Sequence, residues 1–310
     1  MKYAIISDIH GNIYALRAAI QDSKSQGADR YLLLGDYTNG FPWGNEVIET
    51  IRHLKNAIVI QGNGEGYLLD LKNSGETDFS CEQFKPVYWA YRSLSKENLD
   101  YLIQLPTSEV VTDIDTNIYL NHSMSIFYRS LQIELFHSRN FRMMMTEKPF
   151  THEEYLTYAK ASLLGCSDAK EEIEALPNGI YLFGHNHMQF HMKHGKKLFI
   201  NPGSCGEPLD WDTNAAYTLL EVTQDNWNVT ERRVEYDIKA AAKELDDSDF
   251  TLYSPMWSKV MRLELLTGKD YFASFVMHLI ETGHVLGCTD YPVSNNTWNV
   301  AVKTWDKNTI

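Results

Sequence analysis

Cysteine is scarce in this 310-residue chain, and its four cysteines lie far apart, at Cys81, Cys166, Cys205 and Cys288. No two of them form a C-x-x-C pair, and the spacing lacks the density of a disulfide-stapled fold or of a thiolate metal site. The sequence therefore excludes both of those classes, and we expect all four thiols to be reduced.

Runs of basic residues are also missing. The chain has 28 Lys and Arg against 41 Asp and Glu, so its formal net charge is -13. A surface this acidic repels nucleic-acid backbones and anionic lipid, and we expect no long nucleic-acid partner. A small phosphate ester remains compatible with this charge, because bound divalent cations would reverse the sign of the local field that it meets.

Long apolar runs are absent as well. No stretch reaches the length of about eighteen apolar residues that a membrane helix needs. The opening MKYAIISDIHGN holds an apolar run too short for the core of a signal peptide. We therefore expect no membrane span and a cytoplasmic location. Hydrophobic residues at 44% and charged residues at 22% are typical of a globular protein and exclude a largely disordered chain.

Short apolar runs alternate with helical periodicity over residues 3–62, which is the pattern of consecutive βα units. We predict strands at 3–6, 31–34 and 57–60, with Asn12 as the N-cap of the first helix. This pattern predicts a layered α/β core.

The rest of the chain divides into a second strand-rich part, an insert and a tail. Strands are predicted at 109–114, 117–121, 180–183, 198–200, 215–222 and 228–236, with a mostly helical insert at about 124–178. We place a catalytic domain at 1–237 and a mainly helical appendage at 238–310. Within that appendage the alternation of Trp298, Val300 and Val302 leaves two alternatives open, one more strand or a tail packed on the core.

Side chains that can bind metal follow several of the predicted strands. They are Asp8, His10, Asp36, Asn63, His122, His185 and His187. Each alone has a neutral explanation, such as a helix cap or an ordinary buried histidine. The ends of strands are where open α/β sheets place their ligands, so seven such residues at equivalent positions predict one shared site.

The motifs SDIHGN, GD, GN, NHS, GHNH and NPGS resemble those of the metallophosphoesterase (calcineurin-like phosphoesterase) superfamily, and among its members the bacterial phosphodiesterases that begin with SDIHGN. The resemblance covers about residues 1–237. It implies a four-layer sandwich of two mixed β-sheets flanked by helices, here with a helical C-terminal appendage. It also implies hydrolysis of a phosphodiester or nucleotide polyphosphate.

The resemblance further implies how the ligands divide between two ions. Asp8, His10, Asp36 and His187 would hold one ion, and Asp36, Asn63, His122 and His185 the other. Asp36, Asn63 and His122 are the residues we assign to catalysis. Carboxylate, imidazole and amide ligands suit divalent manganese, iron or zinc. Two such ions, roughly 3.5 to 4 Å apart, would make a bridging hydroxide at neutral pH that attacks phosphorus.

One position departs from the superfamily pattern. Its members usually carry His after GN, where it assists the leaving group, whereas this chain has Gly64 followed by Glu65. Proton transfer contributes about 10² to 10⁴ in rate, so its absence favours a stable leaving group such as a nucleotide or an aryl oxide. Glu65 could replace the histidine, or it could be structural or solvent-facing.

Other functions remain compatible with the sequence. The chain could be a protein phosphatase or a catalytically silent metal-binding scaffold, and a homo-oligomer is compatible with the sequence. Arg129, Arg139 and Arg142 in the insert could clamp a polyphosphate or simply meet solvent, and His191 and His194 are taken as surface residues. We expect the NPGS turn at 201–204 to support the site, and the insert and tail to roof it.

Overall fold

The computed structural model describes residues 1–123, 147–164, 167–288, 290 and 292–305. Arg129, Arg139, Arg142 and Cys166 lie outside the described residues, and so does most of the first half of the predicted insert.

Ten strands and twelve helices are described. The strands are β1 (Lys2–Ile6), β2 (Arg30–Leu33), β3 (Ala57–Val59), β4 (Ser108–Asp113), β5 (Thr116–Asn121), β6 (Gly179–Leu182), β7 (Gln189–His194), β8 (Lys197–Pro202), β9 (Ala215–Val222) and β10 (Trp227–Val234). The first seven helices are α1 (Ile13–Ser25), α2 (Gly44–Arg52), α3 (Asn63–Ser74), α4 (Lys85–Ser93), α5 (Lys96–Ile103), α6 (His152–Leu164) and α7 (Ser167–Ala175). The C-terminal helices are α8 (Ile238–Asp246), α9 (Asp249–Tyr253), α10 (Pro255–Thr267), α11 (Tyr271–Val285) and α12 (Asn295–Thr304).

The strands form two mixed five-stranded sheets. The first has the order β10-β9-β1-β2-β3, with β1, β2 and β3 parallel and β9 antiparallel to both of its neighbours. The second has the order β4-β5-β6-β8-β7, with β5, β6 and β8 parallel. In the first sheet, consecutive βα units account for the parallel strands, because a parallel pair needs a crossover connection.

The two sheets pack face to face, and each outer face is covered by helices. Tyr3 and Ile5 of β1 belong to the cluster that also holds Ile180 and Leu182 of the second sheet. Ala4 and Ile6, which alternate with them, belong instead to the cluster formed with the helices on the other side. β1 is therefore buried on both faces, which explains its continuous apolar run. The predicted four-layer α/β sandwich is confirmed.

Most of the predicted elements match observed ones to within one or two residues, and Asn12 caps α1 by accepting a hydrogen bond from the amide of Ala15 at 3.1 Å. The prediction missed β7, which carries His191 and His194. Phe190 and Met192 are buried and alternate with polar residues, but this apolar pattern has only two members, and β7 is an edge strand defined by its pairing with β8.

Of the two alternatives for the stretch around Trp298, the structure shows a segment packed on the core and not a strand. Residues 295–304 form helix α12, capped by the Ser294 side chain. The apolar residues that pack are Trp298, Ala301 and Trp305, which recur at helical spacing, whereas Val300 and Val302 are only half-buried. The alternation at 298, 300 and 302 suggested a strand, whereas the spacing of the buried residues is that of a helix.

The C-terminal helices share a core with the N-terminal ones. Leu245, Trp257 and Phe275 lie in the same buried cluster as Leu16 and Val47. Polar contacts cross the same boundary, since Glu244 accepts hydrogen bonds from Trp43 Nε1, at 2.6 Å, and from the Tyr14 hydroxyl. The division of the chain at residue 237 stays a prediction. Among the described residues, none of the helices is both long and apolar enough to cross a bilayer.

Replacing Trp257 by Ala tests this shared core. Trp257 is buried, and its Nε1 donates to the carbonyl oxygen of Glu82 at 3.0 Å. The free energy of unfolding should fall by about 3 to 5 kcal/mol because a large buried side chain is lost. Urea unfolding followed by circular dichroism should keep a single transition, whereas Leu252→Ala, at a residue 82% exposed, should change it by less than about 0.5 kcal/mol. Two separate transitions would show that the tail does not share the core.

Candidate metal centre

The segments that follow five of the strands meet at one edge of the sandwich. β1 is followed by Asp8 and His10, β2 by Asp36, β5 by His122, and β6 by His185 and His187, while Asn63 opens α3 after β3. Within the described residues, two groups of side chains have the spacing to hold a metal ion, and these groups contain all of the predicted carboxylates and histidines.

The first group consists of Asp8, His10 and His187. The Nε2 atoms of the two histidines lie 3.1 Å apart, and Asp8 Oδ1 lies 3.6 Å from His187 Nε2 and 4.0 Å from His10 Nε2. Ligand atoms that share one ion at about 2.1 Å lie about 3.0 to 4.2 Å from each other. The spacing of this group fits one ion.

The second group consists of Asp36, His122 and His185. Asp36 Oδ2 lies 3.3 Å from His122 Nε2, and Asn63 Oδ1 lies 3.0 Å from the same nitrogen. The rings of His122 and His185 meet edge to face, with centroids 5.2 Å apart. Asn63 thus lies beside this group, and its role as a ligand stays a prediction.

Asp36 lies between the two groups. Its Oδ2 is 3.9 Å from His10 Nε2 in the first group and 3.3 Å from His122 Nε2 in the second. Its Oδ1 accepts a hydrogen bond from the Gly64 amide at 2.7 Å. One carboxylate oxygen is therefore held by backbone, and the other faces both groups.

Backbone strain is concentrated in the same residues. Of the ten described non-glycine residues with positive φ, five are predicted ligands, namely Asp8 (φ 53°), His10 (φ 48°), Asp36 (φ 56°), His185 (φ 71°) and His187 (φ 61°). This region costs a residue with a side chain on the order of 1 to 3 kcal/mol, and such outliers gather at functional sites. Five of seven predicted ligands therefore hold positions that folding alone does not favour.

Hydrogen bonds to backbone carbonyl oxygens fix the ring orientation of two histidines. His122 Nδ1 lies 2.8 Å from the carbonyl oxygen of Leu34, and His187 Nδ1 lies 2.7 Å from that of Glu207. A carbonyl oxygen only accepts, so each Nδ1 carries the proton and donates it. Each Nε2 faces the site, where it can offer a lone pair to a cation, the arrangement typical of a metal-binding histidine.

The buried charged groups of the site shift one another's pKa values. Burial raises the pKa of Asp8. Burial acts the same way on Asp36, but the imidazoles of His122 and His10 outweigh it and hold the pKa of Asp36 below its usual range. Burial alone would lower the pKa of His122, yet Asp36 and Asp8 raise it to about 10. The cluster therefore requires positive charge, which protons or cations can supply.

Glu65 is structural and not solvent-facing. It is buried, and its carboxylate accepts hydrogen bonds from the amides of Asp36 (2.9 Å), Gly62 (2.8 Å) and Tyr37 (3.0 Å). Burial, followed by the charge of Asp36, raises its pKa. Glu65 thus holds the strained loop that presents Asp36.

The NPGS turn supports the site, as expected. Asn201 Nδ2 donates to the carbonyl oxygen of Gly184 at 2.8 Å and to Asn186 Oδ1 at 2.7 Å. Ser204 Oγ donates to the carbonyl oxygen of Asp8 at 2.7 Å. Both side chains are buried, so their role is to join the loops that carry the two groups.

Sequence reasoning missed Glu207. Its Oε2 lies 3.8 Å from His10 Nε2, and its side chain is 15% exposed. No spacing rule points to it, and the only available signal was its place three residues after the NPGS turn.

The amino-acid sequence matches a family described as the calcineurin-like phosphoesterase superfamily domain over residues 1–225. The chain belongs to the calcineurin-like phosphoesterase superfamily. The SDIHGN-type branch within it stays a prediction.

Individual relatives agree with this assignment in fold. The chain is 26% identical over 257 residues to the protein MJ0912 of Methanocaldococcus jannaschii, with 78% of this chain and 90% of that protein covered. A metallophosphoesterase from Sphaerobacter thermophilus has a similar structure, with a TM-score of 0.60 at 24% identity over 86% of this chain and 100% of that one. The protein PH1004 from Pyrococcus horikoshii has a TM-score of 0.58 at 19% identity, over 83% and 97%.

Gly62 offers a steric test of the Asp36 position. A Cβ at Gly62 would lie 2.2 Å from Asp36 Oδ1, so Gly62→Ala should displace that carboxylate and weaken metal binding by at least about tenfold. Gly66 on the same helix meets nothing within 4 Å, and Gly66→Ala should leave binding unchanged and stabilise α3 by about 0.5 to 1 kcal/mol. Calorimetric titration with Mn²⁺ measures the metal affinity of both variants. Equal affinities in the two variants would contradict the assigned role of Asp36.

Glu65→Gln separates a structural role from acid catalysis. One carboxylate oxygen becomes an amide nitrogen that cannot accept from the backbone, so the Asp36 loop should loosen and metal affinity fall about 10- to 100-fold. The pH dependence of turnover at saturating metal should keep its shape. Asp70→Asn, at an exposed position of the same helix, is the matched control. Loss of one limb of the pH profile in Glu65→Gln alone would instead identify Glu65 as the acid.

Proposed function

We propose that this protein is a metal-dependent phosphoric ester hydrolase with two divalent cations, acting on a phosphodiester or a nucleotide polyphosphate. The observation that carries the proposal is the single oxygen of Asp36 that faces both ligand groups, 3.9 Å from one histidine and 3.3 Å from another. Membership of the calcineurin-like superfamily supports it.

The residues of each group would hold one cation, and Asp36 would belong to both. The first cation would take Asp8, His10, Asp36 and His187, and the second Asp36, Asn63, His122 and His185. Carboxylate, imidazole and amide oxygen suit manganese, iron or zinc, among which the donors do not choose. When bound, the two cations would supply a water of lowered pKa as nucleophile and offset the charge that grows on the phosphoryl oxygens.

The chain itself supplies position and rigidity. The proton on His122 Nδ1 is held by Leu34 and that on His187 Nδ1 by Glu207, so neither ring can turn its Nε2 away from the site. The amino end of α3 presents Gly64 N–H to Asp36, and the partial positive charge of that helix end adds to the attraction that the carboxylate feels from His122 and His10. These interactions preorganise the donors before a substrate arrives.

The residues next to Asn63 support the proposed substrate class. Gly64 has no side chain, and the carboxylate of Glu65 accepts three backbone hydrogen bonds, so neither residue donates a proton to a leaving group. A leaving group of low pKa needs no such help. A nucleotide or an aryl oxide therefore suits this chain better than a simple alkyl alcohol.

The test is a comparison of substrates on Mn²⁺-loaded protein. Bis-p-nitrophenyl phosphate and dinucleoside polyphosphates should turn over faster than a phosphoserine peptide, whose leaving group is an alkyl alcohol. Elemental analysis should find two ions per chain. Asp36→Asn should reduce both metal content and turnover, the latter by about a thousandfold or about 4 kcal/mol, because it removes a ligand common to both ions.

Two outcomes would reverse the proposal. Preference for the phosphopeptide would make the chain a protein phosphatase. Two bound ions without turnover of any phosphate ester, for manganese, iron and zinc alike, would make it a silent scaffold. The exposed-site variant Asp70→Asn should behave as the unmodified protein in every assay.

A further inference from the structure

The loop after β2 connects the two sides of the metal centre. On one side, Phe41 N–H donates to the carbonyl oxygen of His10 at 2.6 Å, and a Cβ at Gly40 would lie 2.5 Å from the same oxygen. On the other side, Asn39 Nδ2 donates at 2.9 Å to the carbonyl oxygen of Gly64, in the first turn of α3. The loop is therefore packed against the first ligand group and against the amino end of α3.

Asn39 is the part of this loop that reaches the surface. Of residues 36–41, Asn39 alone is not buried. A Cβ at Gly64 would lie 2.8 Å from Asn39 Nδ2, which is closer than such atoms approach in proteins. Asn39 therefore occupies the space into which a side chain at position 64 would extend.

This space borders the second ligand group. Gly64 N–H donates to Asp36 Oδ1 at 2.7 Å, and the preceding residue, Asn63, has its Oδ1 3.0 Å from His122 Nε2. The Cβ position at Gly64 lies 3.1 Å from Asp36 Oδ1. The amide nitrogen of Asn39 and the carboxylate of Asp36 thus flank one methyl-sized space.

The Asn39 amide has a hydrogen-bond donor to offer. A primary amide has two N–H groups, and the carbonyl oxygen of Gly64 accepts from one of them. The Thr38 hydroxyl lies 3.4 Å from Asn39 Oδ1, so the nitrogen is the end that faces Gly64. In the described part of the chain, the second N–H has no acceptor. Such a group can donate to a phosphoryl oxygen without giving up its proton.

Backbone conformation explains only part of this residue. Asn39 has a φ of 68°, which asparagine tolerates better than most residues do. Asn56 has a similar φ of 58°, yet it is exposed, and its Nδ2 donates to the carbonyl oxygen of Asp29 at 3.3 Å. The two asparagines share a backbone requirement, but only Asn39 has its side chain beside the metal centre.

We infer that Asn39 contacts the substrate, with its second amide N–H donating to a phosphoryl oxygen of the phosphate ester next to the second ligand group. The inference rests on the proposed function. A neutral donor attracts the phosphate without forming an ion pair with Asp36, which both cations need as a ligand. One preorganised donor to an oxygen that gains charge in the transition state is worth about 10² to 10³ in kcat.

Asn39→Gly tests the contact, because glycine keeps the left-handed backbone and removes only the side chain. On the Mn²⁺-loaded protein, kcat for bis-p-nitrophenyl phosphate should fall about 10- to 100-fold, while calorimetric Mn²⁺ affinity stays within about threefold. Asn56→Gly makes the same change at an exposed position and should alter neither quantity. Full turnover in Asn39→Gly would overturn the inference. A loss of Mn²⁺ affinity as large as the loss of turnover would also overturn it, since Asn39 would then only support the ligands.

A double-mutant cycle with Gly64→Ala tests the shared space at saturating Mn²⁺. The added methyl group should displace the Asn39 amide, so Gly64→Ala should lower kcat about as much as Asn39→Gly does, and the double variant should lose little more. Losses that multiply in the double variant would show that the two positions act independently, and would contradict the inference.

Binding of inorganic phosphate to the Mn²⁺-loaded protein provides a measurement without turnover. Asn39→Gly should weaken it at least about tenfold, because a hydrogen bond to a charged group is lost. Hydrolysis by the unmodified protein, with phosphate binding and kcat unchanged in Asn39→Gly, keeps the proposed function and overturns the contact. Phosphate binding that Asn39→Gly weakens, in a protein that hydrolyses no ester, overturns the function and keeps the contact.

Discussion

The position of the Asp36 carboxylate is the constraint on which the rest of the site depends. It is buried next to a second buried anion, Glu65, and two negative charges so placed repel each other in a medium of low polarity. The amino end of α3 and the backbone amides of Gly62 and Tyr37 offset that repulsion. The strained loop that carries Asp36 therefore depends on the position of the first turn of α3.

Close packing of the two sheets brings the ligand groups together. The amide of His185, from the second sheet, donates to both oxygens of Asp8, from the first, at 3.1 and 3.0 Å. A Cβ at Gly184 would lie 2.0 Å from Ser7 Oγ, so a larger residue there would push the sheets apart at this edge. The apolar core between the sheets thus sets a separation that the metal centre needs.

The C-terminal helices belong to this arrangement although they carry no motif. They share a buried core with α1 and α2. The turn between α10 and α11 is hydrogen-bonded to the loop after the NPGS turn. Segments attached around a common site are where related proteins diverge in function. In this chain such a segment contacts the loop after the NPGS turn, where the Trp211 amide donates to the carbonyl oxygen of Gly268 at 2.8 Å.

The sequence by itself determined the βα order of the first sheet, the cap at Asn12 and the seven residues that converge at the strand ends, because these depend on local periodicity and on residues next to strands. Only the tertiary structure decided the helical state of 295–304, the edge strand β7, the buried role of Glu65 and the place of Glu207 beside His10. Those features arise from contacts between residues far apart in the chain, such as Glu207 with His10. Such contacts leave no repeat in the sequence that a reader could detect.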